Sequence, residues 1–190
     1  MTDENDKKSR AIELHQKANQ HLDRDEQEDA LAAFGDCYTL LEEIGDTRSQ
    51  AMVQSNMGLV CARTNRFDQA LSHFRKSRGL FEELGDSFQQ GGQLENIGSA
   101  HRDKREYDEA VGPYTRALDV FKALGEELQT ANQYANIGYV YAMKGDFSTA
   151  LSWYQQALDL YVGLKEEELA GSIRQNIGNL TRQMEERSAD

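Results

Sequence analysis

Four asparagines, Asn56, Asn96, Asn136 and Asn176, stand forty residues apart, each two places before a glycine (Gly58, Gly98, Gly138, Gly178). A carboxamide carries both an acceptor and donors. A row of them can therefore hydrogen-bond the backbone of an extended peptide while remaining indifferent to its side chains. At about 100° per helical residue, two places turn each asparagine roughly 200° away from its glycine. If the glycines mark where helices touch, the asparagines face the open side. The other role for the same residues, tying neighbouring helices together, is equally compatible with this spacing.

Residues three, four and seven places away share that face. They are Ser55, Leu59, Ala62 and Arg63 beside Asn56, and Gly92, Glu95, Ser99, Arg102 and Asp103 beside Asn96. Beside Asn136 come Asn132, Ala135, Tyr139 and Met143, and beside Asn176 come Gln175, Asn179, Arg182 and Gln183. Such a lining has amides throughout, apolar patches at Leu59, Tyr139 and Met143, and arginines at three levels. With helices ~10 Å apart and an extended chain rising ~3.3 Å per residue, four such helices would hold about 9 to 12 ligand residues.

Catalysis would need a nucleophile with its base, a metal set or a phosphate loop. The sequence has no Gly-Lys-Ser/Thr loop, no His-Glu-x-x-His and no Cys-x-x-Cys. His15, His21, His73 and His101 are scattered; His15 and His21 point to different faces of one helix, and His101 stands where the next repeat has Tyr141. Cys37 and Cys61 occupy core positions, where a thiol behaves as a small hydrophobe. No catalytic residue, metal ligand or cofactor is expected.

The elements that must position these residues follow from the same forty-residue period. Ala30-Leu31, Ala70-Leu71, Ala110-Val111 and Ala150-Leu151 are each followed by Phe34, Phe74, Tyr114 or Tyr154. Ile44-Gly45-Asp46, Leu84-Gly85-Asp86 and Leu124-Gly125-Glu126 form stops, with Leu164-Lys165-Glu166 a weaker fourth. Apolar residues between the stops fall at helical spacing, as in Leu71, Phe74, Leu80, Phe81 and Leu84. The pattern predicts first helices near 8–24, 47–63, 87–103 and 127–143. Second helices are predicted near 28–44, 68–84, 107–124 and 147–163, with an unpaired ninth near 166–186. Pro113 lies in the second turn of its helix and predicts a mild bend there. Residues 1–7 read as a flexible tail, 8–186 as a single repeat domain (repeats 8–44, 47–84, 87–124 and 127–163, terminal helix 166–186), and 187–190 as a second tail.

Composition narrows the partners. The 190 residues carry 33 acidic against 21 basic side chains, a formal charge of −12, which opposes approach to nucleic acid. No apolar run nears the ~20 residues of a membrane span, and the charged N-terminus does not resemble a signal peptide, so a cytoplasmic setting with no membrane partner is expected.

Together these residues resemble the tetratricopeptide repeats, over about residues 10–185, in the roughly forty-residue variety of the kinesin light chain and LGN/Pins scaffolds. The family's small helix-contact residue maps to Gly58, Gly98, Gly138 and Gly178, with Ala18 in a degenerate first repeat. Its alanine and aromatic map to Ala70 and Phe74, Ala110 and Tyr114, and Ala150 and Tyr154. The resemblance implies an all-α, right-handed superhelical solenoid of four helix-turn-helix repeats plus a C-terminal unpaired helix, with first helices on the concave side. It also implies a non-catalytic adaptor holding a protein or peptide partner in a groove of Asn56, Leu59, Arg63, Glu95, Asn96, Ser99, Arg102, Asn136, Tyr139, Met143, Asn176 and Asn179. The family's chaperone-tail clamp needs basic residues where this chain has His15, Asn19, Asn56, Gly92 and Asn96, which argues against that ligand. Two alternatives stand beside the adaptor: a self-assembling module, such as a homodimer through the terminal helix or the convex face, and an accessory subunit of an enzyme complex.

Overall fold

The computed structural model describes residues 2–189, and side chains over 4–187. Among the described residues there are nine α-helices and no strand. They are α1 (Thr2–Asp23), α2 (Gln27–Ile44), α3 (Thr47–Arg63), α4 (Phe67–Glu83), α5 (Ser87–Asp103), α6 (Tyr107–Leu124), α7 (Glu127–Met143), α8 (Phe147–Leu164) and α9 (Glu167–Ala189). Four of these, α3, α5, α6 and α7, have the bounds expected from the sequence. The largest departure is at the N-terminus, where residues 2–7 are the first turns of α1 rather than a tail. Nothing there breaks a helix, Glu4 suits its N-terminal end, and Lys7 Nζ reaches Glu43 at 3.0 Å. At the other end α9 runs on through Glu185, Glu186 and Arg187, good helix formers with no stop behind them. Residues 187–189 of the expected tail are thus helical; Met1 and Asp190 lie outside the described residues. Helix α6 continues unbroken through Pro113.

The chain forms two compact units, Met1–Gln93 and Leu94–Asp190, with the boundary inside α5. In the first unit, α1 packs on α2, α2 on α3, and α3 on α4. Its core gathers Leu14, Ala18, Phe34, Cys37, Leu41, Val53 and Val60. Cys37 and Cys61 are buried, free thiols; burial pushes both pKa values up, which keeps them protonated and unreactive. Cys37 Sγ donates to Ala11 O at 3.2 Å, and forty residues on Ser77 Oγ donates to Ala51 O at 2.8 Å. A small donor at the equivalent position, a thiol in one and a hydroxyl in the other, thus closes both hairpins. In the second unit, α6 packs on α7, α7 on α8, and α8 on α9. Tyr114, Leu118, Tyr134, Ile137, Val140, Tyr154 and Tyr161 form its core, and Ile173 and Leu180 bring α9 into it.

The turns repeat with half the period of the sequence. Among the described residues eight have positive φ, at 25, 45, 65, 85, 105, 125, 145 and 165, one every twenty residues. Gly45, Gly85 and Gly125 fill three of the turns between repeats, where only glycine meets this φ without steric cost. Gly45 N–H donates to Glu42 O and Asp46 N–H to Leu41 O, closing the last turn of α2 with paired bonds. Asp46 then opens α3 by accepting from Ser49 N–H at 3.0 Å. The Gly-Asp pair therefore ends one helix and starts the next. The fourth turn has the same backbone but places Lys165 at φ 63°. Its side chain crowds the backbone there. Lys165→Gly should stabilise the fold by about 0.5 to 1 kcal/mol, seen as a Tm rise of roughly 2 to 4 °C in a thermal melt; a lower Tm would contradict the turn geometry.

Candidate functional site

The glycine that precedes each aromatic by sixteen residues sets how closely the paired helices approach. A Cβ built on Gly98 would lie 2.8 Å from the Tyr114 ring, one on Gly138 2.8 Å from Tyr154, and one on Gly58 2.5 Å from Phe74. Those rings are at most 2% exposed and cannot retreat. With one side of α3, α5 and α7 pressed against its partner, the asparagine two places earlier on each turns outward. Asn56, Asn96, Asn136 and Asn176 are all half-buried.

Their surroundings differ. Asn56 in the first unit meets His15 Nε2 at 3.3 Å, and His15 also contacts Asn19 at 3.3 Å and packs edge-on against Phe34. This carboxamide links α3 to α1, which is the helix-tying role. Leu59 and Arg63 are exposed in the same unit. That unit also holds a feature the sequence reading missed, an apolar cavity of about 350 Å³ lined by Ile12, His15, Cys37, Met52 and Val53 among others. Its only sequence signal is the pair of outward apolar residues Ile12 and Met52, both half exposed.

In the second unit the structure brings four of the expected residues together. Arg102, Asn136, Tyr139 and Asn176 line a cavity of about 410 Å³, with Asp103, Ala135, Tyr154 and Ile173 completing it. A second cavity of about 430 Å³ shares Tyr139, Tyr154 and Asn176 and adds Met143, Asn179 and Gln183. The walls are the first helices α5, α7 and α9, with Tyr154 of α8 reaching between them. Tyr139 is 42% exposed and takes the Arg102 guanidinium 5.9 Å from its ring centroid. Arg102 Nε also donates to Asp103 Oδ1 at 2.8 Å. On the far side Arg187 sits 4.5 Å from the Phe147 ring centroid.

Ser99, Glu95 and Asn96 line neither cavity. Ser99 Oγ is 3.0 Å from Tyr114 Oη; burial pushes that phenol up to about 12, so it stays neutral. Glu95 accepts from Gln133 Nε2 at 2.9 Å. Asn132 spends its Oδ1 on the Tyr161 hydroxyl at 2.7 Å and so serves packing rather than the cavity.

Residues 92–161 match a family model described as Tetratricopeptide repeat. Residues 92–161 carry the tetratricopeptide repeat. Two solved structures share the fold. The apo form of RapI superposes with a TM-score of 0.84 at 16% identity, over 93% of this chain and 49% of that one. Aspartyl phosphate phosphatase F from Bacillus subtilis gives 0.75 at 17% identity, over 94% and 50%. The chain spans about half the length of these structures. No curated protein matches the sequence.

The repeats also explain a contact that spacing on one helix could not disclose. Residues 38 apart on successive first helices meet: Gln93 Nε2 donates to Ser55 Oγ at 3.1 Å in the first unit, and Gln133 Nε2 to Glu95 in the second. Positions 55 and 95 are equivalent in the repeat, as are 93 and 133. Among the described residues no helix is long and apolar enough to cross a membrane.

Proposed function

We propose that this tetratricopeptide-repeat chain is a binding module, without catalysis of its own, that holds an extended segment of a partner protein against the first helices of its second unit. The observation that carries the reading is the convergence of Arg102, Asn136, Tyr139 and Asn176 on one cavity, beside a second holding Met143 and Asn179. Carboxamides there supply donors and acceptors to a ligand backbone, while Tyr139 and Met143 offer apolar surface to its side chains. Among the proposed groove residues, Asn136, Tyr139, Asn176, Met143, Asn179 and Arg102 form the contact surface, and Glu95 lies just behind it. In the first unit, Leu59 and Arg63 are exposed on the asparagine-bearing helix and extend the proposal to that unit separately.

The test uses the full chain and a fluorescent pool of random nine-residue peptides, read by polarisation. Tyr139→Ala should weaken binding about fivefold, as expected for losing one half-exposed aromatic contact of about 1 kcal/mol. Gln155→Ala, on the exposed face of α8, should leave it unchanged. Equal losses in the two variants, or none in either, would overturn this placement.

A further inference from the structure

Glu95 is a charged side chain where the fold asks only for a polar one. The equivalent contact in the preceding repeat is made by a serine: Ser55 Oγ accepts from Gln93 as Glu95 accepts from Gln133. In the following repeat the position is Ala135. Holding neighbouring first helices together therefore needs no carboxylate, and desolvating one carries a cost.

The surroundings of Glu95 do not repay that cost. Its partners are carboxamide donors, Gln133 Nε2 and the side chain of Asn136. Arg102 is within electrostatic reach but donates its Nε to Asp103 and lies over the Tyr139 ring. Tyr161 and Tyr114, from α8 and α6, also feel its charge. Burial pushes the Glu95 pKa up despite these donors. Gln133, fully buried, leaves its Oε1 without a donor. Counting Glu95, Arg102 and Asp103, the cluster is one positive charge short, and it is also short of hydrogen-bond donors.

From this geometry we infer that Glu95 is the subsite for a cationic side chain, arginine or lysine, of the bound partner segment. This rests on the groove reading above, since Asn136 connects Glu95 to the cavity lined by Tyr139. A guanidinium or ammonium supplies the missing charge and donors together. Its stem would run along Asn136 toward the Tyr139 ring, whose position over Arg102 already places a cation against that ring.

Two nine-residue peptide pools test this, one with arginine fixed at the centre and one with glutamate, all other positions drawn from uncharged residues. The wild-type chain should bind the arginine pool at least fivefold more tightly. Glu95→Gln should bring the ratio to about one, while Glu109→Gln, an exposed charge on α6, should leave it intact. Melting separates a ligand residue from a structural one. A carboxylate with a raised pKa favours folding fully below its unfolded value, and that contribution is lost as pH rises through the folded value. At pH 7 Glu95→Gln should therefore melt no lower than wild type, and near pH 4 any advantage should vanish. Equal affinity for both pools, a preference that survives Glu95→Gln, or a lower Tm in that variant at pH 7 would each overturn the inference. If neither pool binds at all, the groove reading fails with it; if both bind equally, only the cationic subsite fails.

Discussion

Gly98→Ala should lower stability by about 2 to 3 kcal/mol, the cost of overpacking a filled core, whereas the same change at Gly178 should raise it by up to about 1 kcal/mol. One added methyl thus acts in opposite directions at equivalent positions of the repeat. At Gly98 the new Cβ would lie 2.8 Å from two ring carbons of Tyr114 and 2.9 Å from a third, on a side chain with no exposed surface. Escape would require α5 and α6 to part and reopen the core. At Gly178 nothing lies within 4 Å, since no second helix packs on that side of α9 among the described residues. There alanine only relieves the poor helix propensity of an exposed glycine. For a domain of this size the two changes should move Tm by roughly 5 to 10 °C downward and 2 to 4 °C upward. Equal shifts in a thermal melt would contradict the packing described here.

The same contrast extends along α9. On the side where α7 receives α8, α9 carries Gly171, Arg174, Gly178 and Thr181, all exposed. The corresponding residues of α7 are Ala131, Tyr134, Gly138 and Tyr141, which pack into the unit. Arg174 and Thr181 replace aromatic residues and soften that face, while Ile173 and Leu180 on the other flank still join the core.

Much of the architecture was legible because each repeat carries its own punctuation. Gly45, Gly85 and Gly125 mark chain reversals through a φ that other residues resist, and Asp46 and Asp86 cap the helices that follow. Glu126 stands at the third such start with no capping bond from its side chain, yet α7 begins where expected. No such mark precedes α1, so its true start could not be read. The glycine and aromatic pairs were legible as contacts, since a missing side chain and a large one at fixed spacing are complementary. The asparagine face was legible from helical rotation, but rotation does not say what a side chain touches. Asn56 faces outward and is nonetheless engaged by His15, a residue forty-one places away. The pairing of Glu95 with Gln133 depends on how two helices slide past one another, information that no single helix holds. The division inside α5 left no trace either, because the repeat pattern runs through it without a change of composition.

The most direct measurement is the affinity of the peptide pool for a chain carrying Asn136→Ala and Asn176→Ala together, set beside its melting temperature. Both side chains are half-buried on the cavity wall and outside the core clusters. Removing two carboxamides that each bond a ligand backbone should cost about 1.5 kcal/mol or more, a loss of at least tenfold in affinity, with helicity and Tm nearly unchanged. Unchanged affinity, or a weakening matched by a collapse in Tm, would place these asparagines in the service of the fold and contradict their role toward a partner.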